Sequence, residues 1–280
     1  MRVQANGIPI EVEDTGEAGR PAVLLVMGLG MQLVAWPAAF VEGLQGEGFR
    51  VVRYDNRDAG LSQSFEHLGV PNLMLASMRH RLGLPVHAPY TLQDMAADAI
   101  GVLDALGIDR AHLVGVSLGG MVAQRVALAA PQRVLTLASV MSTSGARDLP
   151  GPRPHVLRAV IGAPHDRSED ALVEHAMQLL RLIRSPAFPQ DEAQVRERVR
   201  LSLRRAFHPD GTARQMCAVA AGLHRARGLP RIQAPTLVFH GLDDPLVPFA
   251  CGHDTARRIP GARLVAVSGM GHDLPPGVVE

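Results

Sequence analysis

The sequence contains no lysine: all 28 of its basic residues are arginine. A Walker A lysine, a Schiff-base lysine for pyridoxal phosphate and a lysine nucleophile are therefore excluded. An arginine-biased genome accounts for the absence without a functional cause. Cysteine is nearly missing as well. Cys217 and Cys251 stand alone, with no C-x-x-C pair, no H-E-x-x-H and no paired Cys/His spacing, so no metal site is expected and the thiols are read as reduced. Net charge is only +1, which gives no global field for nucleic acid or an anionic membrane, and neither is expected as a partner. Long apolar runs are missing too. The longest, Ala22 to Met31, is about half of what a bilayer span needs. The opening MRVQANGIPIEVED lacks an apolar stretch of signal-peptide length, so a cytoplasmic location is expected.

What is present is the balance of a globular chain: 280 residues, 47% hydrophobic and 20% charged. That fits one large α/β domain, or a core plus a lid. Short Val- and Leu-rich runs read as parallel strands buried on both faces: Ala22–Met27, Phe49–Tyr54, Ala111–Val116, Val134–Val140, Thr236–His240 and Arg263–Val267. Helical patterns lie between them. Thr91 reads as the N-cap of a helix ending near Leu106, and a second helix over Leu118–Ala130 is stopped by Pro131. The alternation predicts a mostly parallel sheet covered on both faces.

The pattern breaks in the middle of the chain. Between Gly145 and Arg231 a Pro- and Arg-rich stretch leads into helical segments near Ser168–Arg184, Asp191–Phe207 and Thr212–Gly228, with no strand. The division expected is a core of residues 1–144 and 231–280 and a helical cap of residues 145–230. From Gly145 to Arg231 there are 15 arginines against 9 acidic residues. Solvated helix faces explain that excess; a field drawing in an anionic substrate is the alternative.

The strand AHLVGV runs into Gly115-Val116-Ser117-Leu118-Gly119, with a helix immediately after it. The five letters G-x-S-x-G are a weak signal by themselves. Between a strand and a helix they describe a sharp turn that thrusts the serine hydroxyl out at the C-terminal edge of the sheet. A structural serine in a glycine-rich turn is the bland alternative. A serine hydroxyl needs a base, and the base needs an orienting acid, each on a loop after a later strand. His272, after the last strand in Ser268-Gly269-Met270-Gly271-His272, is the candidate base, its glycines allowing a tight exposed loop; His240 is the nearest rival. Asp244 is the candidate acid because Pro245 biases it to an extended conformation, with Asp243 the alternative. Acyl transfer also needs two backbone N–H donors for the oxyanion. Leu118 is one; Leu29, in the loop Met27–Met31, is the other, with Gly30 next. Gly28 and Gly30 also start a dinucleotide fingerprint, but its third glycine is missing, Leu33 standing there.

The segments VLLVMGLG, RYDNRDAGLS, HLVGVSLGGMVAQ, FHGLDDPLVP and SGMGHDLP together resemble the α/β-hydrolase fold, in the branch of small bacterial esterases that includes aclacinomycin methylesterase. The likeness spans nearly all of the chain except the cap. It departs from the wider family where Met27 replaces a common histidine, which keeps the backbone donor and loses that side chain's polar contacts. The resemblance implies that Asp55 and Arg57 brace the loops around the site. It also implies a helix after the His272 loop, which is expected to be absent since the sequence stops at Glu280. The function implied is a cofactor-free carboxylic-ester hydrolase with a Ser117–Asp244–His272 triad. Lactone opening, C–C hydrolysis or perhydrolysis by the same triad, or a non-catalytic binder on a dead scaffold, are the alternatives. Met31, Trp36, Met141, Met177, Met216 and Met270 are the candidate pocket residues for a bulky apolar ester, ordinary core being the other reading of each. A monomer or homodimer is expected.

Overall fold

The computed structural model describes residues 1–16, 19–162, 164–222 and 225–279. It opens with a hairpin that the apolar runs do not reveal. Strands β1 (Arg2–Ala5) and β2 (Ile8–Asp14) pair antiparallel about Asn6-Gly7, whose φ values are +52° and +76°. Asn-Gly is the pair that a two-residue hairpin turn favours. The chain continues through β3 (Ala22–Val26), α1 (Ala38–Gly46), β4 (Arg50–Tyr54), α2 (Leu73–Arg81), α3 (Leu92–Ala105), β5 (Ala111–Val116), α4 (Leu118–Ala129) and β6 (Val134–Val140). Four helices follow, α5 (Pro154–Ile161), α6 (Glu169–Ile183), α7 (Glu192–Arg205) and α8 (Pro209–Ala221). Then come β7 (Thr236–Gly241), α9 (Phe249–Arg258), β8 (Arg263–Val267) and a single turn, α10 (Pro276–Val279), which packs beside α1 after the His272 loop.

The strands form one sheet in the order β1-β2-β4-β3-β5-β6-β7-β8. It is antiparallel where β2 meets β1 and β4, and parallel from β4 through β8. All five residues of β3 are buried, as a strand covered on both faces requires. Alternate side chains feed two cores. Leu24, Val26 and Leu113 pack with Met95, Val102 and Val122 of α3 and α4; Val23, Leu25 and Val51 pack with Val41 of α1. Thr91 and Asp94 close a capping box at the start of α3. Pro154 stands in the first turn of α5, where its missing N–H is harmless, so a Pro-rich stretch conceals a helix. Among the described residues no helix is long and apolar enough to cross a membrane. Part of the arginine between β6 and β7 is engaged locally: Arg181, Arg196, Arg200 and Arg204 pair with Glu169, Asp170, Glu174 and Glu192 within and between α6 and α7.

Candidate active site

Ser117 sits between β5 and α4 at φ 55°, ψ −117°. That region is costly for a residue with a Cβ, and both of its flanks are held. Its N–H donates to Val140 O at 2.9 Å, and Ser142 Oγ donates to Ser117 O at 2.7 Å. The glycines on either side are required by close approach. A Cβ on Gly115 would fall 2.3 Å from Gly119 O, and one on Gly119 would fall 1.9 Å from Val26 O.

The loops after β7 and β8 bring two side chains to this serine. His272 Nδ1 lies 2.6 Å from Asp244 Oδ2, and Nε2 lies 3.0 Å from Ser117 Oγ. A carboxylate only accepts, so Nδ1 carries the ring proton and bare Nε2 faces the hydroxyl. Asp244 is held in turn: its Oδ1 accepts from the N–H groups of Leu246 and Val247 at 2.9 and 2.8 Å. Burial pushes its carboxyl up, but His272, His240 and the Val247 N–H outweigh burial and bring it down to about 2. Asp244 is therefore ionised at neutral pH. Asp243 is turned to other work, accepting from Gly269 N–H at 2.8 Å. Buried His240 donates from Nε2 to Val247 O at 2.8 Å and lies 3.6 Å from Asp244 Oδ2, so it supports the acid.

The loop Met27–Met31 passes beside the serine, with the Cβ position of Gly28 3.4 Å from Ser117 Cβ. Asn56 Nδ2 holds it by donating to Met27 O at 3.0 Å. Gly30 N–H is already engaged, donating to Gln215 Oε1 of α8 at 2.8 Å. The N–H groups of Leu29 and Leu118 have no protein acceptor among the described residues.

The apolar candidates divide. Trp36, Met141 and Met270 pack in the sheet core with Met27 and Val140, Trp36 stacked on Phe40, so their burial there comes from core packing. Met177 is buried on α6, Met216 is half-buried on α8, and Met31 is exposed on the loop after β3. The bracing segment is tied as its charges imply. Arg57 pairs with Asp98 at 2.6 and 2.7 Å, its guanidinium over the rings of Phe65 and Tyr90. Asp55 accepts from Leu33 N–H, Leu61 N–H and Arg205 of α7. Sequence reading missed Ser142, Gln215, Ser185 and Asp273. Their partners lie up to 185 residues away, and no local pattern announces them.

Strand order, a serine on a strained strand-to-helix turn, and an acid and a histidine after the last two strands define an α/β-hydrolase with a Ser-His-Asp array. The chain belongs to the α/β hydrolase fold family, whose profile matches residues 21–275. It is similar to rhodomycin D methylesterase DnrP of Streptomyces peucetius, 31% identical over 287 residues that cover 96% of this chain and 90% of that one. It is equally similar to rhodomycin D methylesterase DauP of Streptomyces sp. strain C5, at 31% identity over the same shares. Among solved structures, a hydrolase from Pseudomonas aeruginosa PA01 is 28% identical with a TM-score of 0.68, covering 95% of this chain and 89% of that one. The enol-lactonase from Burkholderia xenovorans LB400 shares the fold at 22% identity and a TM-score of 0.69, covering 97% of this chain and 92% of that one.

Proposed function

We propose that this protein is a carboxylic-ester hydrolase that works through an acyl-enzyme. Ser117 is the nucleophile, His272 the base and Asp244 the orienting acid; Leu29 and Leu118 N–H groups receive the oxyanion. The observation that carries the reading is the unbroken hydrogen-bonded run from Asp244 through His272 to Ser117. Ser117 Oγ attacks the ester carbonyl carbon as His272 Nε2 takes its proton, and ionised Asp244 stabilises the imidazolium. The ester C–O bond breaks, and His272 returns the proton to the departing alcohol. Water, deprotonated by His272, then attacks the acyl carbon; the acyl C–Oγ bond breaks, His272 returns the proton to Ser117 Oγ, and the carboxylic acid leaves. Two backbone donors beside the reacting carbonyl stabilise its developing charge without rearrangement.

Residues 1–144 and 231–280 are the catalytic core in this reading, and residues 145–230 are the cap. Two features support that division: α5 to α8 all fall between β6 and β7, and α8 bonds to the Met27–Met31 loop. The substrate class is a small ester of a bulky apolar acid, foremost a methyl ester. Similarity to two rhodomycin D methylesterases supports that class. A cytoplasmic setting accords with two buried free thiols. The test is labelling with a fluorophosphonate together with hydrolysis of p-nitrophenyl butyrate and a panel of polycyclic methyl esters. Covalent capture at Ser117 and turnover of at least one ester are expected. Protein that is neither labelled nor active on any ester would overturn the reading.

A further inference from the structure

The loop that carries His272 has a second set of partners, all from the end of α6 and the segment between α6 and α7. His272 N–H donates to Ile183 O at 2.7 Å, and Ala187 N–H donates to Gly269 O at 3.1 Å. Asp273, next to the base, accepts the Ser185 N–H at 3.0 Å and the Ser185 hydroxyl on Oδ1, and Gln190 Nε2 at 2.8 Å on Oδ2. Ser185 Oγ in turn accepts from Gly271 N–H at 2.9 Å. Arg198 fixes the Gln190 amide by donating to its Oε1 at 2.9 Å. The two backbones touch, since a Cβ on Gly271 would fall 2.4 Å from Ile183 O. The loop is therefore covered, contrary to the exposed loop that its glycines imply.

A segment that only roofed a pocket would need apolar packing. This one places its polar groups on the backbone and side chain immediately around His272. Burial lifts the Asp273 carboxyl above its ordinary value against the pull of Ser185, Gln190 and His272, so its donors have a buried acceptor to satisfy.

We infer that the α6–α7 segment is a positioning device for the base: Ser185 and Gln190, through Asp273 and Gly271, hold the 269–273 loop so that His272 reaches Asp244 and Ser117 together only while the cap is docked. Ser185 and Asp273 are positioning residues, since neither side chain contacts Ser117 or Asp244. The inference rests on Ser117–His272–Asp244 being the catalytic array.

The experiment measures kcat and KM on p-nitrophenyl butyrate, with melting temperature, for Ser185→Ala, Ser185→Thr, Asp273→Asn and Gln190→Ala. Asp273→Asn keeps the shape but sets a donor against Gln190 or Ser185. With the base misplaced, kcat of Ser185→Ala and Asp273→Asn should fall about tenfold to a hundredfold. KM should stay within about twofold, and Ser185→Thr, which keeps the hydroxyl, should recover most of the rate. A kcat within about twofold of wild type in both variants, with only the melting temperature lowered, overturns the inference. So does a change confined to KM. If those two variants do not fold, Gln190→Ala decides: it removes one hydrogen bond from Asp273 at a half-buried site and should lower kcat about fivefold, and an unchanged kcat rejects the device. Ser117→Ala in the same assay separates the two levels. If it stays active, the catalytic reading falls; if it is dead while the others keep full kcat, only the positioning role falls.

Discussion

At Ser117 a hydroxyl faces a bare ring nitrogen, because His272 keeps its ring proton on Nδ1, where it donates to the Asp244 carboxylate. Ser117→Ala removes the attacking oxygen and leaves the elbow glycines and Ser142 in place. It should fold as wild type and lose about 10⁴-fold or more of kcat on p-nitrophenyl butyrate. Wild-type turnover by that variant would sink the nucleophile assignment. The two adjacent aspartates make a sharper test. Asp244→Asn can donate to Nδ1 and so stabilise the wrong tautomer, at a cost of about 10⁴-fold in kcat. Asp243→Asn touches only the acceptor of Gly269 N–H and should cost far less. The reverse order of losses would make Asp243 the acid. The Ser, Asp and His positions were legible because each lies in a short contiguous pattern at a strand end. The choice between Leu29 and Gly30 was not, since it is Gln215, 185 residues along the chain, that occupies the Gly30 N–H.

Elements differ in how they announce themselves. The central strands are continuous apolar runs, and β5, β6 and β8 appear where the sequence puts them. The β1–β2 hairpin is half-exposed, so its signal is alternation, with buried Ile10 and Val12 alternating with exposed or half-exposed Pro9, Glu11 and Glu13, and the Asn-Gly turn. A search for continuous runs passes over it. Helix α2 offers even less, because Met74 is 84% exposed and Met78 53%, so no buried stripe marks it. The anchoring of α8 on the segment after β4 is also invisible locally. Arg214 of α8 meets Asp58 with two bonds of 2.8 Å, and both side chains are buried. Removing one member of such a pair strands the other charge. Arg214→Ala should destabilise by about 3–5 kcal/mol in urea unfolding. Arg204→Ala, which breaks a solvent-screened exposed pair with Glu169, should cost far less. Equal losses would mean that α8 is not anchored by its charge.

For the whole molecule, strand–helix alternation made the sheet readable, and the pattern breaks where α5 to α8 run between β6 and β7. What these helices touch was not readable, because Ser185–Asp273 and Arg214–Asp58 join residues 88 and 156 positions apart. Those long-range pairs carry a consequence for acid stability. Burial pushes the Asp58 carboxyl up, but the Arg214 hydrogen bonds outweigh it, so the group lies below its ordinary 3.8. Asp244 goes the same way, to about 2, and Asp14 and Asp254 are also lowered. As pH falls, the unfolded chain takes up protons on these four groups first, near 3.8, while the folded chain still resists. The unfolded state then binds more protons, so stability drops with pH. Their contribution is full above the unfolded value and is lost as pH falls through the folded ones. Asp273 runs in the opposite sense, since its raised carboxyl holds a proton more readily folded than unfolded, and it offsets part of the loss. The urea midpoint should therefore be flat from about pH 7 to about pH 5 and fall steadily toward about pH 2. Replacing the anchor pair together, Arg214→Met with Asp58→Asn, removes one lowered carboxyl without leaving a stranded charge, so the fall should become shallower. A slope unchanged by that double replacement would show that the buried pair between α8 and the core is not what acid undoes.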